Sequence, residues 1–264
     1  MRITFRLVAV FAFIALFLSP ASATRGDESG AHQIGWEIGA GCPQYREDIL
    51  TPLRWIGIRA LIGGQYRYLG SRDRHQAFLA FSMAYLDNRF GDGGYAALLD
   101  IDYRYHRKVL VDESMGELWL GPALRYMLDD QFYHSWDTNE IYWLTTLDLG
   151  PSAAWHALWG KKHDIWVELQ LPLLALASRP PRYRYHGQET SGDVGYFFSA
   201  PNAHMKVTSL HEYISIRLKA EYLYKIGAST QLGGTYEIGY RTDSEPVRFQ
   251  ELDQTLAFKM MHTL

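Results

Sequence analysis

The sequence predicts an all-β chain: an antiparallel up-and-down transmembrane β-barrel of about ten strands, with eight and twelve as the neighbouring even counts. Three observations lead there. Residues 1–23 read as an export signal, the rest of the chain alternates apolar and polar residues with a period of two, and no mature stretch holds 18 consecutive apolar residues that could cross as a helix. Composition frames the reading, with 264 residues, 47% hydrophobic, 21% charged, a net charge of -3 and one cysteine. These values exclude a disordered chain, a disulfide scaffold and a basic nucleic-acid binder, so no nucleic-acid partner is expected. A mean hydropathy of -0.20 is that of a water-soluble protein, yet 18 Tyr and 8 Trp are many for one. So many amphipathic rings need a spatial explanation.

The chain opens with Arg2 and Arg6, the apolar run Leu7 to Leu18, then Ser19-Pro20 and Ala21-Ser22-Ala23. That is the charged, apolar and cleavage pattern of a secretory signal peptide, and an apolar run of about twelve residues falls short of the roughly 20 a spanning helix needs. Cys42 follows Gly39-Ala40-Gly41 but has no apolar lead-in, so it is an unpaired cysteine rather than a lipid-attachment site. The organisation read from this is a signal peptide over 1–23, a short periplasmic segment over 24–31 and a barrel domain over 32–264.

Residues 32–41 and 75–86 give two weaker strands. Over 54–70, Ile56, Ile58, Ala60, Ile62, Tyr66 and Tyr68 oppose Arg59, Gln65 and Arg67. Residues 95–108 set Tyr95, Leu99, Ile101, Tyr103 and Tyr105 against Asp100, Asp102, Arg104 and His106. A helix would scatter those charges around a cylinder; a strand collects them on one side. The same pattern holds over 116–128 (Leu118, Leu120 and Leu124 against Glu117, Trp119 and Arg125), 140–157 and 164–175 (Ile165, Val167 and Leu169 against Trp166, Glu168 and Gln170). It continues through 208–225 (Ile214, Ile216, Leu218 and Tyr222 against Ser215, Arg217, Lys219 and Glu221), 229–242 and 250–264.

A soluble β-barrel or sandwich also alternates, with its apolar face inward. Three features favour the membrane reading. Rings cluster at strand ends, with Tyr66, Tyr68, Tyr103, Tyr105, Trp155, Tyr222 and Tyr224 at one rim and Tyr85, Tyr95, Tyr126, Trp143 and Tyr240 at the other, as interfacial belts require. Connections on one side are short (Ser71 to Arg74, Val109 to Ser114, Trp159 to Lys162, Gly227-Ala228). On the other they include Cys42 to Thr51, Asp129 to Thr138 and the long stretch Ala177 to Lys206. The chain also ends on the alternating run Leu256-x-Phe258-x-Met260-x-His262-x-Leu264.

That terminal run resembles the C-terminal strand of Gram-negative outer-membrane β-barrel proteins, with Leu264 where a terminal Phe or Trp is usual. The resemblance implies an outer-membrane location, surroundings of outer-membrane lipid and lipopolysaccharide, and handling by the barrel-assembly machinery.

Ten strands leave little lumen. The inward face is charged with both signs: Glu37, Arg59, Arg67, Asp100, Asp102, Arg104, Glu117, Arg125, Asp148, Glu168, Arg217, Lys219, Glu221, Glu237 and Arg241. Such a set reads as a paired network filling the barrel or, alternatively, as a narrow polar path for small solutes. An enzyme is the rival class. Asp100-x-Asp102 with His211 resembles the omptin outer-membrane proteases, although the second element here reads Ser209-x-His211 rather than Asp-x-His. Lipid-hydrolysing barrels use His-x-Ser, which is absent, and on a regular strand Ser209 and His211 would stand roughly 6–7 Å apart. No metal-site spacing, phosphate loop or dinucleotide fingerprint occurs, so no metal and no cofactor are expected. In the long connection, Arg179, Arg182, Tyr183, Arg184, Tyr185 and His186 combine guanidiniums suited to phosphate with rings suited to sugar faces, which makes them candidate contacts to lipopolysaccharide or a glycan. The expected role is structural, binding or narrow transport, with an outer-rim hydrolase as the alternative.

Overall fold

The computed structural model describes residues 30–48, 51–112, 115–133, 140–180, 202, 205–245 and 247–264. The export signal over 1–23 lies outside the described residues. Thirteen strand segments occur in chain order: β1 (Ala31–Gly41), β2 (Gln44–Glu47), β3 (Thr51–Leu69), β4 (Asp73–Asn88), β5 (Gly93–Asp112), β6 (Gly116–Tyr133), β7 (Glu140–Trp159), β8 (His163–Gln170), β9 (Leu174–Ser178), β10 (Lys206–Ser209), β11 (Tyr213–Lys225), β12 (Thr230–Asp243) and β13 (Phe249–Thr263). Pairing runs β7-β6-β5-β4-β3-β1-β13-β12-β11-β8 and returns from β8 to β7, so ten antiparallel strands form a closed ring. The closing ladder joins β1 to β13 from Gln33 opposite Thr263 to Gly41 opposite Thr255. Closure pairs every strand of the ring with two neighbours, with the first residues of β11 paired on one side, and this is the condition for a sheet to sit where water cannot satisfy its backbone.

Short segments extend this ring at one end. β2 continues β1 between β13 and β3, while β9 and β10 pair with each other and continue the wall beside β7. Several strands are therefore longer than the alternation suggested. β5 runs on through Val111 where a turn was expected, past a register shift between Lys108 and Leu110. β6 reaches Tyr133, which puts Asp129 inside the wall rather than in a loop, and β2 lies within the expected connection 42–51. Turns at 70–72, 160–162 and 226–229 share one end with Asp112, Gly116, Ala31 and Thr263, here the turn end; the strand ends that flank the longer connections lie at the opposite, loop end.

Orientation separates the two sequence-level alternatives. Ile58, Ile62, Leu79, Phe81, Met83, Leu218, Leu256 and Phe258 all point outward and are exposed, whereas Arg59, Arg67, Arg74, Arg217, Lys219, Glu221 and Lys259 of the same strands are buried inside. A soluble barrel would reverse this; an apolar outer wall requires an apolar surrounding. Among the described residues no helix is long and apolar enough to cross a membrane.

At the turn end, three copies of one unit ring the wall. His32 stands opposite Tyr68 and bonds the Tyr66 hydroxyl at 2.8 Å; His75 stands opposite Tyr105 and bonds Tyr103; His163 stands opposite Tyr224 and bonds Tyr222, each also at 2.8 Å. Every unit joins a Tyr-x-Tyr of one strand to a histidine near the start of its neighbour; the pair ends β3 and β11, while β5 continues past it to Asp112. At the loop end Tyr85 and Tyr95 pack edge to face on the outer wall. Trp143, expected in that belt, is instead buried. Nearby on the same wall, the Tyr126 hydroxyl bonds the Asn202 side chain at 3.0 Å.

One close approach makes a sharp stability test. A Cβ on Gly233 would run into the Tyr222 carbonyl oxygen across the β11–β12 ladder, whereas one on Gly239 of the same strand meets nothing within 4 Å. Gly233→Ala is expected to cost about 1–3 kcal/mol, as overpacking does, and Gly239→Ala to be close to neutral. Urea-unfolding midpoints of the two refolded variants measure the difference.

Candidate functional site

The lumen is layered. Period-two alternation sends every second residue inward, and the composition of that inward row changes along each strand. At the turn end, Trp119, Ala154 and Trp166 form a small buried cluster. His156 stacks on Trp166 with ring centroids 3.9 Å apart and bridges Glu117 (3.1 Å) and Asp164 (3.0 Å), while the Arg74 guanidinium lies over the Trp166 ring at 4.0 Å. Lys108 closes on Glu117 at 2.6 Å.

The middle layer is ionic. Arg125 grips Asp100 with two hydrogen bonds of 2.8 and 2.9 Å. Arg217 donates to Asp102 at 2.9 Å and to Glu237 at 2.7 Å, and Arg104 donates to Asp102 through Nε at 2.9 Å. Glu168 accepts from both Arg74 and Arg104. Arg67 and Lys259 converge on Glu221, Gln65 accepts from Lys259 at 2.5 Å, and Lys219 reaches Glu37 at 3.4 Å. The cavity left among Glu37, Arg59, Asp100, Arg125, Arg217 and Asp253 measures about 30 Å³, room for about two water molecules.

Towards the loop end the row turns aromatic. Tyr45, Trp55, Tyr133, Tyr142 and Phe249 are buried inside the mouth with Leu86 and Leu144. Trp55 packs on Tyr133 at 4.5 Å and Tyr142 stacks on Phe249 at 5.7 Å. Charges thread this layer too. Arg59 donates to the Tyr45 hydroxyl at 2.5 Å and pairs with Asp253; Arg241 pairs with Asp129 at 2.7 Å and with Glu251; Tyr213 donates to Asp148 at 3.0 Å.

All fifteen charges read as lumen-facing lie in these layers. The sequence reading passed over several equal partners. Arg74 was assigned to a turn, but β4 begins at Asp73 and turns Arg74 inward. The aromatic mouth was also missed, although Trp55 shares parity with Arg59, and Phe249 with Glu251, which is a usable signal.

Arg179 does not reach outward. Its guanidinium bends into the mouth, donating to the Tyr142 hydroxyl at 2.7 Å, to Glu47 at 2.9 Å and to the Glu245 carbonyl at 2.5 Å, with Asp243 at 3.6 Å. Those acceptors hold its pKa above the ordinary arginine value, against the opposing effect of burial. Buried charge finds its partners before any external phosphate can compete. Arg182, Tyr183, Arg184, Tyr185 and His186 lie outside the described residues.

The catalytic candidates are not brought together. Asp100 and Asp102 are held by arginines in the middle layer, while His211 sits on the exposed turn between β10 and β11. There His211 Nδ1 and the Ser209 hydroxyl share a hydrogen bond of 2.7 Å, and His211 Nε2 faces Glu212 at 3.4 Å. The regular strand that would have separated Ser209 from His211 is absent, because Glu212 N–H bonds the Ser209 carbonyl at 2.9 Å and curls the chain. Glu212 also accepts from Thr208 at 3.1 Å and Lys206 at 3.4 Å. Slight desolvation raises its pKa, but these bonds and the neighbouring positive charges outweigh that and hold it below the ordinary glutamate value. Among the described residues no group of three His, Cys, Asp or Glu side chains is placed to hold a metal ion.

No family model matches the chain, and no curated protein matches it. Among solved structures it is similar to the outer membrane protease OmpT from Escherichia coli, at 7% identity and TM-score 0.53, covering 89% of this chain and 96% of that one. It is also similar to the translocator domain of the autotransporter NalP from Neisseria meningitidis, at 8% identity and TM-score 0.48, covering 99% and 97%. At such identities the likeness is one of fold: the chain has the architecture of outer-membrane β-barrels.

Removing one shared partner from the middle layer strands two guanidiniums. Glu168→Ala is expected to cost about 3–5 kcal/mol, whereas Arg46→Ala, which breaks the exposed pair with Asp48, costs at most about 1 kcal/mol. Equilibrium unfolding in urea, from vesicles or detergent, compares the two.

Proposed function

We propose that the chain is an integral outer-membrane barrel with a closed lumen, acting as a structural or binding platform rather than a conduit for solutes. The observation that carries this reading is the stacking of a tryptophan layer, an ion-pair layer and an aromatic mouth around a residual cavity of about 30 Å³. A conducting path would need several of those pairs to break together, at several kcal/mol each.

The membrane setting follows from the outer wall. On the outward row of β3, Ile56 to Tyr66 covers about 33 Å of strand, which at the usual tilt matches an apolar band about 25 Å tall. In that setting the surrounding partners are outer-membrane lipid and lipopolysaccharide, and the barrel-assembly machinery acts during biogenesis. With Arg179 committed inward, any phosphate contact from the long connection falls to Arg182 and Arg184.

Two measurements test the reading. The protein is expected to stay with the membrane through carbonate and to need detergent for release. Reconstituted into planar bilayers, it is expected to give no discrete conductance steps. Release by carbonate overturns the membrane setting, and reproducible unitary steps overturn the closed lumen.

A further inference from the structure

We propose that Ser209, His211 and Glu212 form a serine-esterase site on the outer wall, acting on the acyl ester of an amphiphile lying at the membrane surface. The inference is independent of whether the lumen conducts. It begins with a break in the wall. β8 stops at Gln170, and β11 pairs with it only from Arg217 onward, so the first residues of β11 are paired on one side alone. β9 and β10 form a separate hairpin beside β7. Between β10 and β11 the chain makes the tight turn that brings Ser209 and His211 into contact.

The three side chains have the order that acyl transfer needs. One imidazole nitrogen shares a hydrogen bond of 2.7 Å with the serine hydroxyl and the other faces a carboxylate at 3.4 Å, so His211 can act as base on Ser209 while Glu212 orients it. Thr208 and Lys206 in turn hold Glu212. The Leu210 amide, directly after the nucleophile, has no hydrogen-bond acceptor among the described residues and is available to a developing oxyanion. None of these groups belongs to the lumen network.

Substrate class follows from what surrounds the serine. Ser209 shares the outward face of β10 with Val207, stands in register with Leu174 of β9, and is followed by Leu210. Val207, Leu210, Leu173, Leu174 and Ile214 are all exposed on the outer wall. The site also lies directly before Tyr213, at the loop-end start of β11. An acyl chain lying against these leucines brings its ester carbonyl to the polar boundary where Ser209 stands.

The chemistry balances without a further reagent. Ser209 Oγ attacks the ester carbonyl and its proton passes to His211 Nδ1. The acyl–oxygen bond then breaks, the departing alkoxide takes that proton and leaves as the alcohol, and the acyl group remains on Ser209. Water attacks the acyl-serine, giving one proton to His211 and releasing the carboxylic acid, and His211 returns the proton to Ser209.

The test uses the full-length barrel refolded in detergent, with heat-modifiable gel migration as the check that each variant is folded. A fluorophosphonate probe is expected to label the wild type at Ser209, located by peptide mapping, and long-chain p-nitrophenyl esters in mixed micelles are expected to be hydrolysed. Folded Ser209→Ala should lose labelling entirely and folded His211→Ala at least 100-fold of the hydrolysis. Glu212→Gln should lower kcat more than it raises KM. Absence of labelling on the folded wild type, or labelling that survives in Ser209→Ala, overturns the site. Faster turnover of a water-soluble acetate ester than of the micellar long-chain ester overturns the interfacial substrate.

Discussion

Glu168 faces Arg74 and Arg104 from across the lumen, and the remaining buried charges are arranged around equivalent contacts: Asp100 with Arg125, Glu221 with Arg67 and Lys259, Glu237 with Arg217. A ten-stranded ring is slightly wider than the eight-stranded barrel that side chains just fill, and far short of the roughly 16–18 strands that leave an aqueous channel. Long side chains of opposite charge meet that geometry, since each reaches towards the axis and ends on a partner from another strand. The pairing must be nearly complete, because an unpaired buried charge costs several kcal/mol. In this interior the charged side chains of the middle layer are taken up by one another, whereas Ser209 and His211 lie outside it on an exposed turn.

The layers at either end fit that division. Trp166 lies between the His156 imidazole and the Arg74 guanidinium, and so joins the apolar cluster of the turn end to the ion pairs above it. At the other end Tyr45 and Tyr142 present hydroxyls to Arg59 and Arg179 while their rings pack on Phe249. Tyrosine suits this position because one side chain satisfies a charge at its tip and fills space along its body. Arg179 then ties the base of the long connection to β2, β7 and the β12–β13 turn.

The strands were legible because a period of two survives almost any sequence noise over eight or more residues, and parity alone places Arg59, Asp102 and Glu221 inside. Three things were not. Trp119 and Trp166 read on the charged row, but Trp55, Tyr142 and Phe249, which share its parity, lie near strand ends where rings suit an interfacial belt equally well. Arg179 sits beside two prolines and reads as part of an exposed loop; only three-dimensional proximity shows that Glu47, distant in sequence, claims it. The Ser209–His211 contact depends on a turn inside an otherwise alternating stretch, and alternation carries no mark of where a strand curls.

The histidine–tyrosine units at the turn end have a geometrical consequence. Two stand side by side at β1–β3 and β4–β5, and the third lies across the ring at β8–β11. Rings with polar tips favour one depth, the boundary between acyl chains and water. One such anchor would set only how deep the barrel sits. Three spread around a circumference define a plane, so they also fix its inclination and hold the break between β10 and β11 at a constant height above the bilayer centre.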